Sequence, residues 1–138
     1  MGVLDKKVAV VTGGAYSIGR AFCEALAAEG ADVAIADIRE GAETAAALRE
    51  KFGRRALDYK VDVGDEASVV RFAREVREAL GPVEILVNNA AVFAELPALA
   101  FHEYPADLWD RVMAVNVKGP FLMAKHLAPM MKIGRAHV

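Results

Sequence analysis

Short apolar runs rich in β-branched residues alternate along this chain with longer segments in which apolar residues recur at helical spacing. The runs have the length of buried strands, and they comprise residues 8–11, residues 33–36, a segment ending at Val61, and residues 83–87. Strands that alternate with helices need crossover connections, which predicts βαβ units and a parallel sheet covered on both faces. The chain is therefore predicted to adopt an α/β fold.

The intervening helices are bounded by apolar spacing and by glycine or proline. The predicted helices are one that ends near Gly30, one over residues 40–51, one that ends at Gly81-Pro82, and two over residues 105–114 and 119–131. The apolar face of the first is expected to contain Ile18, Phe22, Ala25 and Leu26, and that of the third to contain Val69, Phe72, Val76 and Leu80.

The composition of the chain argues against several classes of binding partner. The 138 residues fit one domain, and the 17 basic and 19 acidic residues are mixed, so no basic surface for nucleic acid or membrane stands out. No apolar run approaches the ~20 residues that cross a bilayer. The single cysteine, Cys23, favours a reducing compartment, and no cluster has metal-ligand spacing. We expect a cytoplasmic protein with no metal, nucleic-acid or membrane partner.

The first predicted strand is joined to the first helix by the glycine-rich sequence Thr12-Gly13-Gly14-Ala15-Tyr16-Ser17-Ile18-Gly19. Main-chain N–H groups at a helix N-terminus have no intrahelical acceptor, and the helix dipole adds partial positive charge, so a diphosphate can bind here without a basic side chain. The residues expected to contact it are Gly13, Tyr16, Ser17, Ile18 and Gly19. The alternative is an ordinary tight turn with a packing glycine.

Asp37 ends the second predicted strand, about 20 residues after this turn. A carboxylate there can accept hydrogen bonds from both hydroxyls of an adenosine ribose, and it would repel a 2′-phosphate. Neither Tyr16 nor Ile38 offers a compensating positive charge, so NAD is favoured over NADP. Arg39 lies close in sequence and keeps dual use open, and Asp37 as a solvated strand-end residue is the alternative.

Three further polar motifs follow in order along the chain. Asp62-Val63 ends the third strand, Asn88-Asn89-Ala90-Ala91 follows the fourth, and Asn116 lies in Val115-Asn116-Val117-Lys118-Gly119. Alone, the first two would be strand-end turns and Asn116 a polar residue at a helix kink. Their occurrence together and in this order is more specific.

Taken together, these motifs resemble the classical short-chain dehydrogenase/reductase family over about Leu4 to Met131. In the family's Thr-Gly-x-x-x-Gly-x-Gly turn, Thr12, Gly13 and Gly19 match, whereas Ser17 stands at the middle glycine. The resemblance implies a Rossmann-type doubly wound parallel sheet, with the strands present here in the order 3-2-1-4 and the sheet truncated after the fourth.

The resemblance also implies residue roles. Asp62 would accept a hydrogen bond from the adenine amine, and Val63 would pack on the ring. Asn89 and Ala90 would line the cofactor cleft, in a motif whose final glycine is replaced by Ala91. Asn116 would be the active-site asparagine, which helps to position the catalytic lysine through an ordered water.

The family's catalytic serine, tyrosine and lysine cannot be placed in this chain. Its Tyr-x-x-x-Lys pattern would need lysine where the sequence has Arg20, Val63 and Leu108. The resemblance implies an NAD-dependent oxidoreductase that transfers a hydride between nicotinamide and a small secondary alcohol or ketone, with a homo-oligomeric parent protein and an inactive 138-residue chain. A nucleotide-binding module without catalysis is the alternative.

The last six residues, 133–138, match no expected element of this family. Their sequence, Ile-Gly-Arg-Ala-His-Val, is a translation of ATC GGA AGA GCA CAC GTC, the start of a common sequencing adapter. We therefore expect residues 1–132 to be an incomplete NAD(P)-binding domain and residues 133–138 to be a non-native tail. A genuine short terminus is the alternative.

Overall fold

The computed structural model describes residues 2–131, so the tail hypothesis for residues 133–138 falls outside the described part of the chain. Strands and helices alternate in the order β1 (Val8–Thr12), α1 (Ser17–Ala28), β2 (Asp32–Asp37), α2 (Ala42–Phe52), β3 (Ala56–Lys60), α3 (Glu66–Leu80), β4 (Ile85–Val87), α4 (Ala106–Met113) and α5 (Gly119–Leu127). A π-helical turn, Ala114–Lys118, joins α4 to α5, and short 3₁₀ turns occupy Phe101–Glu103 and Ala128–Met130.

The strands form one parallel sheet in the order β3-β2-β1-β4, which confirms the predicted topology. The chain moves outward from β1 to β3 on one side and then crosses back to place β4 on the other side of β1. In such sheets the point where the strand order reverses leaves a crevice beyond the carboxyl ends of the strands, here between β1 and β4. This topology defines where a ligand would bind.

Helices cover both faces of the sheet, as the α/β prediction requires. On one face, α3 and α5 contribute Phe72, Val76 and Leu122 to a buried cluster that includes Val10 of β1. On the other face, α1 and α2 contribute Cys23 and Leu48 to a second cluster. Both faces of β1 and β2 are therefore buried, which explains the apolar runs at residues 8–11 and 33–36. None of the helices among residues 2–131 has the length and apolar character needed to cross a membrane.

The predicted apolar face of α1 is wrong at Ile18, Phe22 and Ala25, although Leu26 packs against the buried cluster, whereas that of α3 is confirmed. Ile18 and Phe22 are 65% and 41% exposed, and the buried residues of α1 are Gly19, Cys23 and Ala27. The helix lies so close to the end of β1 that only small side chains fit between them. The sheet-facing side is therefore marked by small residues instead of large apolar ones.

Asp32 begins β2 at the end of the sheet opposite the crevice. Its carboxylate is 2% exposed and accepts hydrogen bonds from Arg54 Nη2 (2.9 Å), from Arg55 Nε and Nη2 (2.9 and 2.8 Å) and from the Arg55 main-chain N–H (3.1 Å). The segment before β3 is thereby fixed to β2. The buried charge is satisfied by four donors.

Glu66 connects α3 to α5 through an ion-pair cluster that titrates in acid. Its Oε1 accepts a hydrogen bond from Lys125 Nζ at 2.7 Å and lies 2.9 Å from His126 Nε2. Hydrogen bonding by Lys125 and then by His126 lowers the pKa of Glu66 from 4.5 to about 2. Because the folded-state pKa is the lower one, this contribution to stability is present above pH 4.5 and is lost as the pH falls toward 2.

We predict that Glu66→Gln will lose less stability than the wild type between pH 4.5 and pH 2, because the variant has no carboxylate to protonate. Urea denaturation at a series of pH values measures this slope. Glu78→Gln, at an exposed position of the same helix, is the matched control and should keep the wild-type slope. Parallel curves for Glu66→Gln and the wild type would contradict the assignment.

Candidate functional site

A cleft of about 510 Å³ lies beyond the carboxyl ends of β1, β2 and β4. All ten residues predicted to contact a cofactor line it: Gly13, Tyr16, Ser17, Ile18, Gly19, Asp37, Asp62, Val63, Asn89 and Ala90. Asn116 is absent from the lining. These ten residues come from four separate segments of the sequence and converge on the crevice that the strand order creates.

The turn after β1 presents main-chain donors to this cleft. The first hydrogen bond of α1 runs from the Arg20 N–H to the Tyr16 carbonyl at 3.2 Å. The N–H groups of Ser17, Ile18 and Gly19 therefore precede any acceptor in the helix, and all three residues line the cleft. Together with the helix dipole, they form a site suited to an anion.

Two glycines allow the turn to fold tightly on itself. Gly13 has φ +65°, and its N–H donates to the Ala36 carbonyl at 2.8 Å, which fixes the turn to the end of β2. A Cβ at Gly19 would lie 1.9 Å from the carbonyl oxygen of Gly13. No side chain fits there, so the start of α1 is in direct main-chain contact with the turn.

Ser17 stands at the middle glycine of the family's turn, and it keeps a glycine-like conformation. Its φ of +54° lies in the left-handed region, which costs a residue with a Cβ roughly 1–2 kcal/mol. The serine side chain is exposed and lines the cleft. The departure from the family's pattern thus changes the side chain without changing the path of the main chain.

We predict that Ser17→Gly stabilises the chain by roughly 0.5–1 kcal/mol, because the strain at positive φ exceeds the added freedom of glycine in the unfolded state. Thermal unfolding followed by circular dichroism measures the effect. Ala21→Gly, at an exposed position of the same helix, is the control and should destabilise by roughly 0.5–1 kcal/mol. A loss of stability in Ser17→Gly would contradict this account.

Asp37 lies beside the turn, at the end of β2. It is 5% exposed; its Oδ2 accepts the Ala15 N–H at 3.1 Å and its Oδ1 accepts the Arg39 N–H at 3.0 Å. A carboxylate offers about four lone-pair sites, so these bonds leave acceptor capacity toward the cleft. The alternative that Asp37 is a solvated strand-end residue is wrong, because the side chain is buried.

The β4 side of the cleft is joined to β1 by Thr12 and Asn89. Thr12 Oγ1 accepts the N–H groups of Asn89 and Ala90, both at 2.9 Å, and Asn89 Nδ2 donates to the Gly13 carbonyl at 3.3 Å. These bonds fix the positions of the two strand ends relative to each other. They explain why a polar sequence follows the apolar strand β4, which is only half-buried.

Asn116 lies in the π-helical turn between α4 and α5 and contacts the loop that follows β4. Its Oδ1 accepts the Val92 N–H at 2.7 Å, and its Nδ2 donates to the Val92 carbonyl at 2.9 Å. The side chain therefore replaces a main-chain partner for Val92, which itself lines the cleft. Widened helical turns of this kind recur at functional sites. The catalytic role of Asn116 stays a prediction.

Arg111 is a cleft residue that the sequence did not reveal. Its Nη1 lies 3.0 Å from Asp62 Oδ2, and Asp62 Oδ1 also accepts the Gly64 N–H at 2.9 Å. The pair joins α4 to the end of β3 across a long sequence separation. No local pattern marks it. Lining residues outside the ten predicted contacts are Ala36, Ile38, Arg39, Val61, Val115 and residues 91–95.

A protein-family model described as short chain dehydrogenase matches residues 7–137 of the sequence. The chain belongs to the short-chain dehydrogenase family. This confirms the resemblance inferred from the turn, the strand-end motifs and Asn116.

This chain is 47% identical over 133 residues to the uncharacterized oxidoreductase YxbG of Bacillus subtilis (strain 168), covering 95% of this chain and 48% of that protein. It is 43% identical over 131 residues to a sorbitol dehydrogenase of Cereibacter sphaeroides, covering 95% of this chain and 49% of that protein. The chain thus spans about half the length of these curated relatives.

Solved structures share the same fold. L-sorbose reductase from Gluconobacter frateurii, in complex with NADPH and L-sorbose, superposes with a TM-score of 0.86 at 33% identity, covering 93% of this chain and 48% of that one. An NAD⁺-bound xylitol dehydrogenase superposes with a TM-score of 0.84 at 32% identity, covering 93% and 49%. Relatives with either nicotinamide cofactor therefore have this arrangement of strands and helices.

Proposed function

We propose that this chain carries the nucleotide-binding part of an NAD-dependent oxidoreductase, which transfers a hydride between nicotinamide and a secondary alcohol or ketone. The observation that carries the proposal is the buried carboxylate of Asp37, which shares a cleft with the unpaired N–H groups at the start of α1. The amides suit a diphosphate, and the carboxylate suits a ribose. The bound nicotinamide would supply the hydride acceptor or donor.

The preference for NAD over NADP follows from charge at the ribose end. Asp37 would repel a 2′-phosphate, and the neighbouring Ile38, 53% exposed, offers no positive charge. Asp62 would accept a hydrogen bond from the adenine amine, with Val63 against the ring. The ion pair with Arg111 holds the Asp62 carboxylate in the cleft and supports this assignment.

Small polyols or the corresponding sugars are the proposed substrates, since the relatives include a sorbitol dehydrogenase and a galactitol 2-dehydrogenase. In the active protein Asn116 would help to position the catalytic lysine. We also propose a cytoplasmic parent protein, in keeping with the single buried Cys23, and a homo-oligomeric one, as the family resemblance implies.

A second candidate function is a nucleotide-binding module without catalysis. The observation that favours it is that the N–H groups at the start of α1 and the buried Asp37 are both suited to contact with a nucleotide. Under both proposals the 138-residue chain binds the nucleotide without measurable carbonyl turnover. The coding sequence of the longer parent gene distinguishes the two, because an enzyme requires a serine and the family's tyrosine–lysine pair.

The test of nucleotide binding is a titration with NADH followed by its fluorescence. We predict that Asp37→Asn will weaken NADH binding about tenfold, because charge-assisted bonds to the ribose become weaker neutral ones. Asp58→Asn, at an exposed position on β3 outside the cleft lining, is the matched control and should bind as the wild type does. Unchanged affinity in Asp37→Asn, or no NADH binding by the wild type, would overturn the proposal.

A further inference from the structure

Arg39 follows β2 and is held at the ribose end of the cleft by two neighbours. Its guanidinium carbon lies 4.7 Å from the centroid of the Tyr16 ring, and its Nε lies 3.5 Å from Asp37 Oδ1. Its main-chain N–H also donates to Asp37 Oδ1. The charged group is thus stacked on an aromatic face on one side and directed toward a carboxylate on the other.

Arg39 is the cation best placed to meet an anion near Asp37. Among the lining residues in the described part of the chain, the basic side chains are Arg39 and Arg111, and Arg111 is paired with Asp62. The Arg39 side chain is 58% exposed, so a ligand can reach it. A guanidinium released from its neighbours could bind a phosphate through two parallel N–H bonds.

We propose that Tyr16 is a selectivity residue, whose ring holds the Arg39 guanidinium against Asp37 and thereby withholds it from a 2′-phosphate. The inference rests on the proposed function, because it requires adenosine to bind beside Asp37. The restriction is one of position: both Nη groups keep their donors, while the ring and Asp37 hold the guanidinium where it lies. The stacking interaction therefore adds to the repulsion by Asp37.

The consequence is that removing the ring raises affinity for a 2′-phosphorylated ligand, and only while Arg39 is present. An exposed cation–π contact is weak. We therefore expect the ratio of the two affinities, for the ligand with the 2′-phosphate and for the ligand without it, to change by about threefold to fivefold. Affinity for the ligand without the 2′-phosphate should change much less. This selective effect separates the proposal from general damage to the cleft.

The test is isothermal titration calorimetry of the 138-residue chain with ADP and with ADP that carries a 2′-phosphate. These probes occupy only the adenosine and diphosphate positions. The variants are Tyr16→Ala, Tyr16→Phe, Arg39→Gln and the double variant Tyr16→Ala/Arg39→Gln. Phe22→Ala, which removes an exposed aromatic ring from α1 outside the cleft lining, is the matched control.

Tyr16→Ala should shift the ratio of affinities toward the 2′-phosphorylated probe by about threefold to fivefold, and Tyr16→Phe should keep the wild-type ratio because it keeps the ring. The shift should disappear in the Arg39→Gln background. Binding of ADP with an unchanged ratio in Tyr16→Ala, or a shift that survives without Arg39, would overturn this inference alone. Failure of the wild type to bind ADP would overturn the proposed function as well.

Discussion

Gly19→Ala is expected to destabilise the chain by about 3 kcal/mol and to abolish measurable binding of ADP. A glycine-to-alanine change inside a helix ordinarily stabilises by about 1 kcal/mol, so the expected sign is reversed. The reason is the 1.9 Å separation between a Cβ at this position and the Gly13 carbonyl oxygen. The oxygen belongs to the main chain, and it can move only if the turn after β1 moves.

The displacement of that turn explains why binding and stability should fall together. Gly13 is fixed to β2 through Ala36 and to the loop after β4 through Asn89, so a shift would disturb both sides of the cleft. Chemical denaturation and calorimetry with ADP measure the two effects. Native-like stability with normal ADP binding in Gly19→Ala would contradict the close contact described here.

Gly53→Ala provides the matched control for the same substitution. A Cβ at Gly53 meets nothing within 4 Å, but its φ of +65° disfavours alanine. The variant should therefore lose about 1 kcal/mol and keep the wild-type affinity for ADP. The comparison separates a loss of stability from damage to the turn.

Asp32→Ala is the second substitution with a large expected effect, a loss of about 3 kcal/mol in the free energy of unfolding. The change removes the acceptor of four hydrogen bonds and leaves Arg54, whose side chain is only 25% exposed, with the more distant carboxylate of Asp5 at 3.9 Å. Arg55 is 59% exposed and can be rehydrated, so the expected loss in the free energy of unfolding is at the lower end of the range for breaking a buried ion pair.

Urea denaturation measures this loss. Asp58→Ala, at an exposed position on the adjacent strand β3, is the control and should change the free energy of unfolding by less than about 0.5 kcal/mol. Asp32 lies at the opposite end of the sheet from the cleft, so the folded fraction of Asp32→Ala should still bind ADP. Equal losses in the two variants would show that the arginine bonds contribute little.

The parts of the fold that follow from local patterns were predictable from the sequence. Val69, Phe72 and Val76 of α3 are buried as their spacing indicated, because a helix with a single apolar face packs with that face against the sheet. The family resemblance supplied the strand order, which periodicity alone leaves open. Six of the ten cleft residues, those of the turn and Asp37, followed from motifs at strand ends, whereas Asp62, Val63, Asn89 and Ala90 followed from the family resemblance.

Other features depend on distances that a local pattern does not encode. The buried face of α1 was predicted wrongly because main-chain contact at Gly19 replaced the usual packing of large side chains. The Arg111–Asp62 pair and the stacking of Arg39 on Tyr16 depend on how α4 and the end of β2 approach the cleft. Charged surface residues have many possible partners until that approach is known.

The donors that face the cleft at the start of α1 belong to the peptide backbone, which every residue type shares. Truncating side chains one at a time from Thr12 to Gly19 therefore leaves those donors in place, and a scan of that kind would under-report the importance of the segment. Ligand binding by these donors is lost only when a substitution adds atoms that displace the main chain, or introduces a proline, which has no N–H group. The substitutions that these positions tolerate therefore report how much space surrounds the main chain. They do not report which groups bind the ligand.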